Sequence, residues 1–176
     1  SLRMSVGSGQ ILLSRITRDP LTGTFTHAFL QEAIANAVAT AQRHRRSCGL
    51  LMIDLDRFKN VNDAYGHEFG NEVLRRVSQR LQEDVRGSDT LAMRRADEVE
   101  GEPAVETNVV GRFGGDEFEI LLTDTGPKGL AIVAGRVLKA LAEITMTAGE
   151  TRVAVAARLG GACFPQHAGD AAPLFQ

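Results

Sequence analysis

Tryptophan is absent from this 176-residue chain, tyrosine occurs once and cysteine twice. Two thiols cannot frame a disulfide-stapled fold, so the core must come from aliphatic burial. Neither Cys48 nor Cys163 belongs to a C-x-x-C pair or stands at a Cys/His ligand spacing, and both read as buried, reduced thiols. Lysine is scarce too, with three among 20 basic residues, and the formal net charge is -2. That balance excludes the overall positive field on which non-specific nucleic-acid binding relies, so any phosphate ligand must be held locally. No apolar run approaches the roughly 20 residues that span a bilayer, and no signal peptide is legible. The expectation is a cytoplasmic piece with no membrane contact of its own, whose parent protein can still be membrane-anchored.

What is present is an ordinary globular composition, 43% hydrophobic and 24% charged, long enough for one domain. Residues 1–18 read as a leader and the end of an incoming helix, and residues 19–176 as the domain. Asp19-Pro20-Leu21-Thr22-Gly23 is a turn signal. Phe29, Leu30, Ala33, Ile34, Ala37, Val38 and Ala41 repeat at helical spacing, with the basic Arg43 to Arg46 suiting the C-terminal end of that helix. Gly49 to Ile53 is a continuous apolar run, expected as a central strand, and it stops at Asp54-Leu55-Asp56. A polar connection is expected over 57–70, then a second helix through Val73, Leu74, Val77, Leu81 and Val85, closed by Arg86-Gly87-Ser88-Asp89.

Five acids between Asp97 and Glu106 suggest an exposed acidic insertion near 90–108. Val109–Phe113 and Phe118–Leu122 flank Gly114-Gly115-Asp116-Glu117 as a hairpin. A third helix follows Gly126-Pro127, then a strand over 152–159 and a loop over 164–170. Strands and helices in this order argue for an α/β (α+β) fold, a central, mostly antiparallel sheet flanked by helices.

Carboxylates at the end of a buried strand are costly unless hydrated, paired or bound to cations. Asp54 and Asp56 therefore need a partner, and the hairpin supplies Asp116 and Glu117 beside two glycines that let a ligand approach the backbone. Hard oxygen donors without His or Cys suit Mg²⁺, with Mn²⁺ as a substitute, shared with the phosphates of a nucleotide. The same residues are equally compatible with solvated strand-end acids and a tight turn.

Gly114-Gly115-Asp116-Glu117-Phe118 spells GGDEF, and the chain resembles the GGDEF domain of the diguanylate cyclase family. The likeness includes Asp19–Gly23, Ile53–Lys59, Asn62–His67, Leu159-Gly160 and Phe164-Pro165, about nine-tenths of the chain. It implies a fold like nucleotidyl cyclases and polymerase palms. It also implies condensation of two GTP into cyclic di-GMP and pyrophosphate across a homodimer, with cyclic di-GMP as a further ligand. The parent protein would carry fused sensory or phosphodiesterase domains. By motif position, Asp54, the Leu55 carbonyl and Asp116 would hold metal, and Asp116 and Glu117 would be the catalytic acids. Lys59, Asn62, Asn71, Gly114 and Gly115 would bind substrate.

The chain departs from the family in several places. Asn71 stands where an aspartate commonly reads guanine, His27 where an arginine is usual, and Arg158 where a small residue is usual. The inhibitory Arg-x-x-Asp, normally shortly before the double glycine, is replaced there by Val105 to Asn108; Arg86 and Asp89 supply its letters far upstream. The family continues past the position of Gln176, so the domain is expected to be truncated. The competing reading is a degenerate module that binds GTP or cyclic di-GMP and regulates an attached domain without turnover.

Overall fold

The computed structural model describes residues 17–96 and 108–167, with side chains from residue 86 to 96 excepted. The elements run β1 (Phe25–Thr26), α1 (His27–His44), β2 (Cys48–Leu55), α2 (Phe58–Tyr65), α3 (His67–Ala96), β3 (Asn108–Gly114) and β4 (Glu117–Thr123). They continue with α4 (Pro127–Ala142), β5 (Thr145–Ala148), β6 (Thr151–Ala154) and β7 (Ala157–Phe164). Five strands form one sheet in the order β1-β3-β4-β2-β7, antiparallel except for the short parallel pairing of β1 with β3. β5 and β6 form a separate hairpin. The expected helix-flanked, mostly antiparallel sheet is the fold observed.

β2 is central because its residues are apolar on both sides. Leu51, Ile53 and Leu55 pack with Phe118, Ile120 and Leu122 of β4 under α3 and α4. Leu50 joins Val109 and Leu121 under α1 through Leu30, Ile34 and Val38. Leu130 of α4 fits a notch that only glycine leaves open: a Cβ at Gly49 or Gly161 would meet its methyls at 2.9 Å. Cys48 and Cys163 are both free and buried, and they belong to the clusters on opposite faces of the sheet. Burial raises the pKa of both thiols.

The opening turn is the fold's polar staple. Asp19 Oδ1 accepts from the Thr22 amide at 2.9 Å and the Thr22 hydroxyl at 2.6 Å, while Gly23 closes the turn at a φ of 69°. The buried Ser78 hydroxyl of α3 donates to the Thr22 carbonyl. Arg112 of β3 reaches the Asp19 carboxylate at 3.2 and 3.3 Å. Burial alone would raise the Asp19 pKa, but the Thr22 hydrogen bonds and the Arg112 guanidinium outweigh it and hold the carboxyl below its usual range.

Three sequence expectations change here. The connection over 57–70 is helical: α2 and the first turn of α3 fill it, because Phe58, Val61 and Phe69 turn inward against the main core. The helix expected to close at 86–89 runs on to Ala96, so Arg86 and Asp89 lie within α3, their side chains outside the described ones. The single strand expected over 152–159 is two, β6 and β7, with Val155 buried in the connection; β7 extends through Phe164, at the start of the expected loop. The incoming helix before residue 17 and the part of the acidic insertion over 97–107 lie outside the described residues.

Candidate functional site

β2 and β4 pair so that Asp54 stands opposite Glu117, and the Leu55 amide donates to the Asp116 carbonyl at 3.2 Å. The strand-end acids and the hairpin tip therefore meet at one end of the sheet. The tip is a two-residue turn, Gly115 at a φ of 52° followed by Asp116, with a register shift between Arg112 and Gly114. Arg112 braces it, donating to the Gly115 carbonyl from Nη2 at 2.6 Å and Nε at 3.1 Å. Nothing lies within 4 Å of where a Cβ would stand at Gly114 or Gly115, so the tip faces open space.

Alternation along the strands puts Met52, Asp54, Glu117, Arg158 and Gly160 around an open hollow on the α1 side of the sheet. Helix α1 covers β3 and β4 more than β2, which leaves this corner accessible. Arg158, opposite Asp54 on β7, closes the hollow electrostatically: Nη2 is 2.6 Å from Asp54 Oδ2 and Nε is 2.8 Å from Asp56 Oδ1. One guanidinium thus spans both carboxylates. Asp54 and Asp56 thus share one cationic partner, the Arg158 side chain.

This donor set fits a hard divalent ion only in part. The oxygens are of the right chemistry, yet among the described residues no group of three or more Asp, Glu, His or Cys side chains has metal-holding geometry. An ion that keeps several waters and borrows substrate phosphate oxygens suits such a site.

Lys59 is exposed on the first turn of α2, which begins after Arg57 turns the chain at a φ of 55°. Asn62 packs at the α2–α3 elbow so tightly that a Cβ on Gly70 would stand 1.9 Å from its Oδ1. Asn71, one residue on, donates from Nδ2 to Glu68 Oε1 at 3.2 Å. Asn62 thus stands on α2 and Asn71 on the first turns of α3, the two helices that follow the Asp54 strand.

Glu119 lies between Phe118 and Ile120 on β4, outside the motifs that mark the candidate site residues. It is fully buried beneath α1. Its Oε2 is 3.1 Å from His27 Nδ1, and Oε1 has no partner. Burial raises its pKa, with Glu117 repulsion adding to the rise and His27 opposing it. The only signal was His27 itself, a departure at the start of α1.

The family model for the diguanylate cyclase GGDEF domain matches residues 16–99 and 103–176. A probable diguanylate cyclase of Escherichia coli, DgcC, is 36% identical over 118 residues, 67% of this chain and 26% of its own length. The diguanylate cyclase TpbB of Pseudomonas aeruginosa is 32% identical over 158 residues, 89% of this chain and 32% of its own. The chain therefore spans about a quarter to a third of these relatives. Its structure resembles the crystallised GGDEF domain of TpbB with a TM-score of 0.71 at 29% identity, covering 90% of this chain and 81% of that one. It also resembles a coiled-coil and GGDEF fragment of DgcB from Caulobacter crescentus, crystallised with cyclic di-GMP. There the TM-score is 0.77 over 96% of this chain and 80% of that one, but at 17% identity the likeness concerns the fold alone. With the signature on a braced hairpin tip beside the strand-end aspartates, the chain belongs to the GGDEF diguanylate cyclase family.

Proposed function

We propose that this domain condenses two GTP molecules into cyclic di-GMP and pyrophosphate. The observation that carries the reading is the pairing that sets Asp54 opposite Glu117 and ties Leu55 to Asp116. Each of two facing subunits would present one GTP, so that each 3′-hydroxyl attacks the other's α-phosphate, forms a phosphodiester bond and expels pyrophosphate. Asp54, the Leu55 carbonyl and Asp116 would hold Mg²⁺, or Mn²⁺ in its place. When bound, the ion offsets phosphate charge and lowers the pKa of the attacking hydroxyl.

The chain's own groups supply the rest. The open backbone at Gly114 and Gly115 would admit the phosphates, and Lys59, exposed on α2, would add a cation near them. Asn62 and Asn71 each offer an amide donor and acceptor to the guanine edge. Asn71 lacks the charge an aspartate would bring, which would weaken guanine binding about tenfold or more. Asp116, with Glu117 beside it, would accept the hydroxyl proton.

A second reading, a nucleotide-binding regulator without turnover, is favoured by the Arg158 guanidinium lying across Asp54 and Asp56. Incubating the protein, and a longer one extending past Gln176, with GTP and Mg²⁺ separates the two by chromatography. Cyclic di-GMP that disappears in Asp54→Asn supports the cyclase. Asp54-dependent GTP binding without product in either protein supports the regulator.

A further inference from the structure

Arg158 is the residue in the hollow that the proposed chemistry does not use. Its side chain is 73% exposed, yet its guanidinium is committed to two carboxylates at 2.6 and 2.8 Å. Those contacts use Asp54 Oδ2, on the side chain proposed to hold the divalent ion. The guanidinium presents a planar fork of donors that matches carboxylate oxygens. Its position on β7 is fixed by the ladder, Asp54 opposite Arg158 and Leu55 opposite Ala157, so it is held near both acids even when its contacts break. A small residue at 158 would leave both carboxylates to water.

We propose that Arg158 is a tethered counter-cation that occupies the Asp54–Asp56 pair and must swing out before a divalent ion binds, raising the metal concentration at which the site loads. The high exposure of the side chain gives it solvent to swing into. The proposal rests on the reading of Asp54 as a metal ligand, and it assigns this chain a metal threshold set by one side chain on a neighbouring strand.

Titration with Mn²⁺ alone, following the free ion by electron paramagnetic resonance at low salt, tests this without turnover. Arg158→Ser should bind Mn²⁺ about fivefold or more tightly than the wild type, the scale of two exposed ion pairs. Arg158→Lys keeps the charge but not the fork and should fall between them. Asp54→Asn should abolish binding in either background. Equal affinity in wild type and Arg158→Ser, with binding still lost in Asp54→Asn, overturns the role of Arg158 and leaves the metal site standing. Binding unaffected by Asp54→Asn overturns the metal site itself, and the inference with it. If Arg158→Ser does not fold by circular dichroism, Arg158→Lys decides: tighter binding supports the proposal, unchanged binding overturns it.

Discussion

Replacing Glu119 with methionine should stabilise this protein, and increasingly so as pH rises. The glutamate side chain is 1% exposed and has one oxygen paired with His27 and the other with no partner. An unpartnered buried polar atom costs about 1–3 kcal/mol, and an apolar side chain of similar volume removes that cost. His27, 27% exposed at its side chain and stacked edge-on against Phe113, keeps access to water when its partner is removed. The net gain expected at pH 8 is about 1–2 kcal/mol, or a Tm rise of about 2–8 °C for a chain of this size.

The sign of the pH dependence follows from the raised pKa of Glu119. Between the ordinary carboxylate value and the higher folded value, the native state holds a proton the unfolded chain has lost. Wild-type stability therefore falls as pH rises through that window, and the variant's does not. Thermal unfolding by circular dichroism between pH 4.5 and 8.5 reads this out. A variant less stable than wild type at pH 8, or a gap that stays constant across the range, would refute the reasoning and show that the His27 pair is net favourable.

Arg112→Ala removes the guanidinium that braces both Asp19 and the hairpin tip, at side-chain exposures of 15% and 19% for the ion pair. Urea unfolding should show a loss of about 2 kcal/mol at pH 7. Because the Asp19 pKa is depressed, the stability it contributes is present above the ordinary carboxylate value and lost as pH falls through the folded one; this acid-side loss should shrink in the variant. Gly70→Ala forces Asn62 Oδ1 away from the α2–α3 elbow. The Asn62 amide must move and the Phe58 ring, 3.2 Å from the added Cβ, must give by a few tenths of an ångström, so the fold should survive while GTP affinity, measured by calorimetry, drops several-fold; unchanged affinity would remove Asn62 from the substrate site.

The β2 strand and the β3–β4 hairpin were legible because the apolar run at 50–53 and the largely apolar 118–122, interrupted by Glu119, read as strands, and paired glycines mark the turn between β3 and β4. Their convergence at Asp54 and Glu117 then follows from antiparallel register. Helix α2 escaped notice because its eight residues carry no fully buried side chain; Phe58 and Val61 are only partly covered. The run from Arg86 to Ala96 looked like a helix end because Gly87 and Ser88 are poor helix formers, a local preference that the structure overrides. Arg158 was noticed as a departure, but its bridge to Asp54 and Asp56 needs the β2–β7 register, and nothing local foretells a contact 104 residues apart. Burial of Glu119 was likewise hidden: an acid alternating with core residues ordinarily faces water, and here α1 lies over that face.

Calorimetric titration of GTP into the protein, with Mg²⁺ and then with excess chelator, tests most directly whether the strand-end acids and the hairpin tip form a metal-dependent triphosphate site. Binding that requires Mg²⁺ and vanishes in Asp54→Asn is the expected result. GTP bound equally well without the ion, or by the Asp54→Asn protein, would contradict the account.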